Sequence, residues 1–124
     1  MTTGRDTRQN AAAQPGRPVR ASRQARQPVE PIPGLDALAD AILVLRTRDE
    51  VRRFLRDLCT FPELEALAHR WQTALLLERG LPYVEIAERV PTSTATVTRV
   101  AQWLRHGAGG YRIALDRLNA KARR

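Results

Sequence analysis

From Gly34 to the end of the chain, apolar positions recur at the spacing of one helical face, and no stretch alternates with the period of a strand. Leu35, Leu38, Ala39 and Ile42 predict a first helix over about 35–46. Val51, Phe54, Leu55 and Leu58 predict a second over about 49–58, with Asp49 and Glu50 well placed at its positive end. Thr60-Phe61-Pro62-Glu63 has capping-box spacing with proline in the first turn. It opens a third helix that runs along Leu64, Leu67, Ala68, Trp71 and Leu75 to Arg79 and stops at Gly80. Residues 82–105 then draw two short helices, one lined by Tyr83, Ile86, Ala87 and Val90, the other by Val97, Val100, Ala101 and Leu104. Between them Pro91 cannot continue a helix, and Thr92 or Ser93 can cap the next one. Gly107, Gly109 and Gly110 precede a last helix, about 111–121, lined by Tyr111, Ala114, Leu115 and Leu118. The prediction is an all-α domain of six helices over 34–124.

The pair within 82–105 is spaced to cross steeply, as in a helix-turn-helix. Opposite the apolar stripe of its second helix lie Ala95, Thr98, Arg99 and Gln102, which are small, hydroxylic, cationic and amide-bearing. Such side chains reach base edges and phosphates in a major groove, and Thr92, Ser93 and Thr94 at the helix start join them as DNA-binding candidates. The stretches Ile42-Leu43-Val44-Leu45 and Ala74-Leu75-Leu76-Leu77 present more than one apolar face, more than a domain this small can bury. A homodimer sharing a core accounts for them and would offer two readers to adjacent grooves of a roughly palindromic double-stranded site.

Composition sharpens this picture. The 124 residues carry a formal net charge of +8, which favours a polyanionic partner. Residues 1–33 hold five of the eight prolines and six arginines against two acids, with almost no apolar side chains. They are expected to be a disordered basic arm, either solubilising or following phosphates; Arg17, Arg20, Arg23 and Arg26 recur every third position, one edge of a polyproline helix. One cysteine allows no internal disulfide, and Cys59 in its apolar context is expected to be a buried core thiol. Trp71 is expected in the core, and His69 and His106 at the surface or at helix ends. No metal site is legible, no apolar run approaches a membrane span, and no secretory signal opens the chain, so a cytoplasmic location is expected. No phosphate loop, nucleophile elbow or triad spacing marks an enzyme. The alternative to a specific regulator is a non-specific nucleoid-type binder or a helical protein-interaction module.

The strings LCTFPELEALAHRW, LLLERG, STATVTRV and GYRIALDRL resemble the tryptophan-repressor superfamily, most of all its YerC/YecD-like branch. The resemblance covers roughly residues 35–120. It implies an intertwined all-α homodimer and transcriptional repression, with a small amino-acid-like co-repressor and no other cofactor. By analogy with the branch, amino-acid metabolism genes are the implied targets. Thr60, Arg70, Thr96 and Arg99 match the family's ligand-site pattern, and two arginines there could flank a ring and pair with a carboxylate. For Arg70 the plainer alternative is a surface arginine paired with Glu63 or Asp57. Two positions depart from the pattern: Val100 stands for a glycine and Trp103 for a serine. Their bulk points away from free tryptophan as the ligand. It leaves open that the Trp103 indole, on one flank with Thr96 and Arg99, fills the pocket itself.

Overall fold

The computed structural model describes residues 28–123, in six helices and, among those residues, no strand. The expected arm at 1–33 lies mostly outside the described residues; Pro28–Pro33 are exposed and non-helical. The helices are α1 (Leu35–Leu43), α2 (Arg48–Leu58), α3 (Phe61–Glu78), α4 (Tyr83–Arg89), α5 (Thr94–His106) and α6 (Gly110–Ala122).

Local chemistry sets the boundaries. α1 ends three residues before the expected position because Thr47 caps α2, its hydroxyl accepting from the Glu50 N–H, while the Glu50 carboxylate accepts from the Arg46 N–H at 2.8 Å. The two acceptors hold residues 46 and 47 out of the first helix. At α3 the expected capping box forms in both directions: the Thr60 N–H donates to Glu63 at 2.8 Å and the Glu63 N–H to Thr60 Oγ1 at 3.2 Å. α3 closes in a Schellman motif. Gly80 takes a positive φ of 82° while its N–H reaches Leu77 O and the Leu81 N–H reaches Leu76 O.

The core lies where α3, α4, α5 and α6 meet. Val97, Val100, Ala101 and Leu104 of α5 are all buried, facing Ile86 and Val90 from the α4 side, Ala74 and Leu77 of α3, and Leu115 of α6. α3 differs from its expected stripe. The face it buries carries Thr73, Ala74 and Leu77, whereas Leu67 and Ala68 are exposed and Leu64, Trp71 and Leu75 are half-buried. Thr73 is the one buried polar side chain of this core among the described residues, and its hydroxyl is satisfied by the His69 carbonyl at 2.8 Å.

Neither α1 nor α2 buries a single residue within the chain. Ile42, Leu58 and Leu67 are exposed, with Leu43 at 79% and Phe61 at 60%. Cys59, expected in the core, is only half-buried: it caps the C-terminus of α2, at a corner where Arg56 donates to its carbonyl and lies over the Phe61 ring. Its apolar neighbours in sequence point outward, so no interior forms around the thiol.

Candidate effector cleft and nucleic-acid face

α5 positions two different surfaces. Ser93 caps it, the hydroxyl accepting from the Thr96 N–H at 3.2 Å, which decides between the two capping candidates. With the buried stripe turned inward, Thr94, Ala95, Thr98, Arg99 and Gln102 are all exposed on the outer side. Two hydroxyls among the DNA-binding candidates already have local work: Ser93 in the cap, and Thr98, whose Oγ1 donates to the Thr94 carbonyl at 3.0 Å. Thr92 is half-buried and turns toward the cleft described next. From Glu88 to Asp116 the sequence holds no acidic residue, so α5 begins without a carboxylate in its first turn and ends with Arg105 and His106 in its last. The helix dipole therefore presents positive potential at its N-terminal end with no acidic side chain in that turn to oppose it.

The second surface is a cleft of about 500 Å³ between α3, α5 and the start of α6. The structure brings Arg70, Thr96, Arg99 and Trp103 together on its walls. Thr60 does not join them: it stands at the start of α3 with its hydroxyl and N–H both spent on the capping box. The Trp103 indole does not plug the cleft. It lies on the wall, 57% exposed, and the space beside it stays open. Val100 is buried in the core and contributes part of the cleft floor.

Three further wall residues escaped the sequence. Ala66 and His69 come from α3, and His69, expected at the surface, is half-buried against the cleft. Helical spacing could have shown them, since positions 66, 69 and 70 share one flank of α3. Tyr111 is brought in from α6 and stacks on Trp71 with ring centroids 6.2 Å apart and planes 11° from parallel. Burial raises the Tyr111 phenol above its ordinary range, with the nearby Arg70 charge opposing the shift.

Among the described residues, no carboxylate forms an ion pair with Arg70 or Arg99, so the pairing of Arg70 with Glu63 or Asp57 does not occur. No acidic side chain lines the cleft. The arrangement can bind an anion and stack a flat group.

Residues 33–119 match the family model described as Trp repressor protein. This chain belongs to the Trp repressor family. It is 42% identical to YerC of Bacillus subtilis (strain 168) over 84 residues, which are 68% of this chain and 81% of that protein. Two solved structures share its fold. A TrpR-like protein from Eubacterium eligens ATCC 27750 is 37% identical, with a TM-score of 0.66, covering 69% of this chain and 89% of the other. A putative Trp repressor from Staphylococcus aureus is 42% identical at the same TM-score, covering 69% and 86%. The family is one of DNA-binding regulators rather than enzymes, and the YerC-like branch is where this member falls. No helix among its described residues is long and apolar enough to cross a membrane.

Proposed function

We propose that this Trp-repressor-family chain is a sequence-specific, dimeric repressor that reads DNA with α4 and α5 as a helix-turn-helix. The observation that carries the reading is the exposed face of α5, with Arg99 and Gln102 among small and hydroxylic residues, on a helix whose opposite face is fully buried. A reader fixed in this way presents its side chains to base edges without loss of register. The dimer is supported by the apolar surface of α1, α2 and the outer side of α3, which a single chain leaves in water. Two copies would set two readers one helical turn apart on a roughly palindromic operator in the bacterial cytoplasm.

The cleft sits directly behind the reader, sharing Thr96, Arg99 and Trp103 with it, and is the natural seat of a co-repressor. An occupant that bound better in the DNA-competent setting of α5 would raise operator affinity by that difference and no more. Amino-acid metabolism remains the proposed context.

The deciding experiment selects genomic DNA fragments with the full-length protein at moderate salt. The expected result is enrichment of paired half-sites, with a preference of ~10³ or more over random DNA. Arg99→Ala should lower operator affinity by roughly tenfold or more. Binding that is steeply salt-dependent but shows no enrichment would replace this reading with the non-specific one, which the net charge of +8 would explain.

A further inference from the structure

Ahead of α1 the chain forms a short strap that the arm-like composition of residues 1–33 conceals. Ile32-Pro33-Gly34-Leu35 closes a type II turn: the Leu35 N–H donates to the Ile32 carbonyl at 3.0 Å, with Gly34 at φ 85° and ψ −9°. Proline followed by glycine is what this turn requires. It brings residues 28–32 beside the first turn of α1, leaving a groove of about 510 Å³ bordered by Val29, Ile32, Leu35 and Asp36. Half of the residues from Pro28 to Pro33 are prolines. They fix φ and carry no N–H, so the strap loses little entropy on ordering and leaves few donors to satisfy when covered. Yet Val29 is 66% exposed and Ile32 59%, and no other described residue covers them.

We propose that residues 28–33 are a clasp that seats Val29 and Ile32 on a second copy of this chain. The apolar edge does not stop at the turn. It runs on through Leu35, Leu38 and Ile42 of α1, a helix that buries nothing within its own chain. A partner that covers α1 therefore meets the strap next. The charges also match between copies. Residues 28–45 carry Glu30, Asp36 and Asp40 with no base, a net of −3, whereas 46–58 carry five arginines against three acids, a net of +2. Opposite charges of this kind set the register of two copies. A two-fold pair also gives each strap its own counterpart, so no third component is needed. The proposal rests on the dimeric reading and goes beyond it, because residues 28–32 precede the part of the chain that matches the family model. It also divides the arm: the strap serves the dimer, and the arginines before it are left for DNA.

Full-length parent and a Val29→Ser/Ile32→Ser variant are each labelled with donor or acceptor dye at the α-amino group. Energy transfer after mixing gives the rate of subunit exchange, which reads dissociation however tight the dimer is. Loss of the two apolar anchors should speed exchange by at least about tenfold, with helix content unchanged. Both side chains are exposed in the single chain, so a change of that size reports the contact between copies. A second full-length variant, Arg17→Gln/Arg20→Gln/Arg23→Gln/Arg26→Gln, should exchange within about twofold of the parent. The serine variant, while dimeric, should keep the parent's operator preference. An unchanged rate in the serine variant, or an equal acceleration in the glutamine variant, would overturn the clasp and leave a dimeric repressor standing. Operator preference lost from the dimeric serine variant would assign the strap to DNA and overturn the clasp as well. A parent that shows no energy transfer at any concentration would refute the dimeric reading together with the clasp.

Discussion

Arg112 grips Glu78 with both ends of its fork, Nη1 donating to Oε1 at 3.0 Å and Nη2 to Oε2 at 2.6 Å, while its Nε donates to Asp116 at 2.9 Å. The two side chains are 13% and 18% exposed, and the contact pins the first turn of α6 to the last turn of α3. The hydrogen bond that Arg112 donates to Glu78 is the chief reason the guanidinium is held above its already high ordinary range, partly offset by burial. Since Tyr111 is the preceding residue, the pair also sets the ring that stacks on Trp71.

Removing one partner leaves the other poorly solvated. Arg112→Ala should therefore destabilise the fold by about 2 kcal/mol, less than a fully buried pair would lose. A fall of roughly 10 °C in Tm corresponds to that loss. Arg112→Lys keeps the charge but not the planar fork, and should recover only part of it. Urea unfolding of the three proteins at one protein concentration checks both, and an unchanged midpoint for Arg112→Ala would refute the clamp.

Ser93 is the only side-chain cap of the reader helix. Ser93→Ala should cost about 1 kcal/mol in stability, whereas Ser93→Asp should recover the cap but lower DNA affinity by setting a carboxylate where a phosphate would lie. Comparing unfolding midpoints with operator titrations separates the two effects.

Gly107 lets the Trp103 indole fold back over the turn into α6. A Cβ there would lie 2.4 Å from the Trp103 carbonyl oxygen and 2.9 Å from its Cε3. Gly107→Ala must displace the end of α5, since the first of these atoms is backbone, and should cost about 1–3 kcal/mol. A changed Trp103 emission in a Trp71→Phe background would accompany the shift; unaltered emission and stability would contradict it.

Stability should fall in acid partly through the α3 cap. The backbone bond from Thr60, then its side chain, holds the Glu63 carboxyl below the usual carboxylate range, against slight desolvation. A depressed folded-state pKa stabilises above the unfolded value and is lost as pH falls through the folded one. Glu63→Gln should therefore flatten that part of the acid limb in a pH series of unfolding midpoints, leaving neutral and alkaline pH parallel to the parent.

Deleting residues 1–27 removes six arginines and one acid. Operator preference should persist while the salt dependence of binding becomes shallower, by about 0.9 in log–log slope for each phosphate that those arginines had neutralised. Disappearance of the preference would place those residues within the recognition surface.

How far the sequence could be read depends on how many faces each helix shows. α5 has one apolar face, and each of Val97, Val100, Ala101 and Leu104 is buried as its spacing required. α3 is apolar around most of its circumference, so spacing alone could not choose between the Leu64–Leu75 stripe and the Ala74–Leu77 face that meets α5. The early end of α1 followed from Thr47 and Glu50, whose T-x-x-E spacing was present but lay within an uninterrupted apolar rhythm. In the cleft, Thr96, Arg99 and Trp103 could be placed on one flank of one helix. His69 shares a flank of α3 with Arg70 and was open to the same reading, whereas Tyr111 needed the packing of α6 on α3, and Thr60 was separated from the site because its polar atoms complete a cap.

The acid-free run between Glu88 and Asp116 has a further effect on how such a protein would respond to its surroundings. The arginines that flank its reader, Arg89, Arg99 and Arg105, each offer phosphate oxygens a planar fork of donors. No lysine in the run is available for acetylation, so that modification cannot weaken its pull on a phosphate backbone. Ionic strength and whatever occupies the cleft remain as levers on it, while modification of a lysine within this run does not.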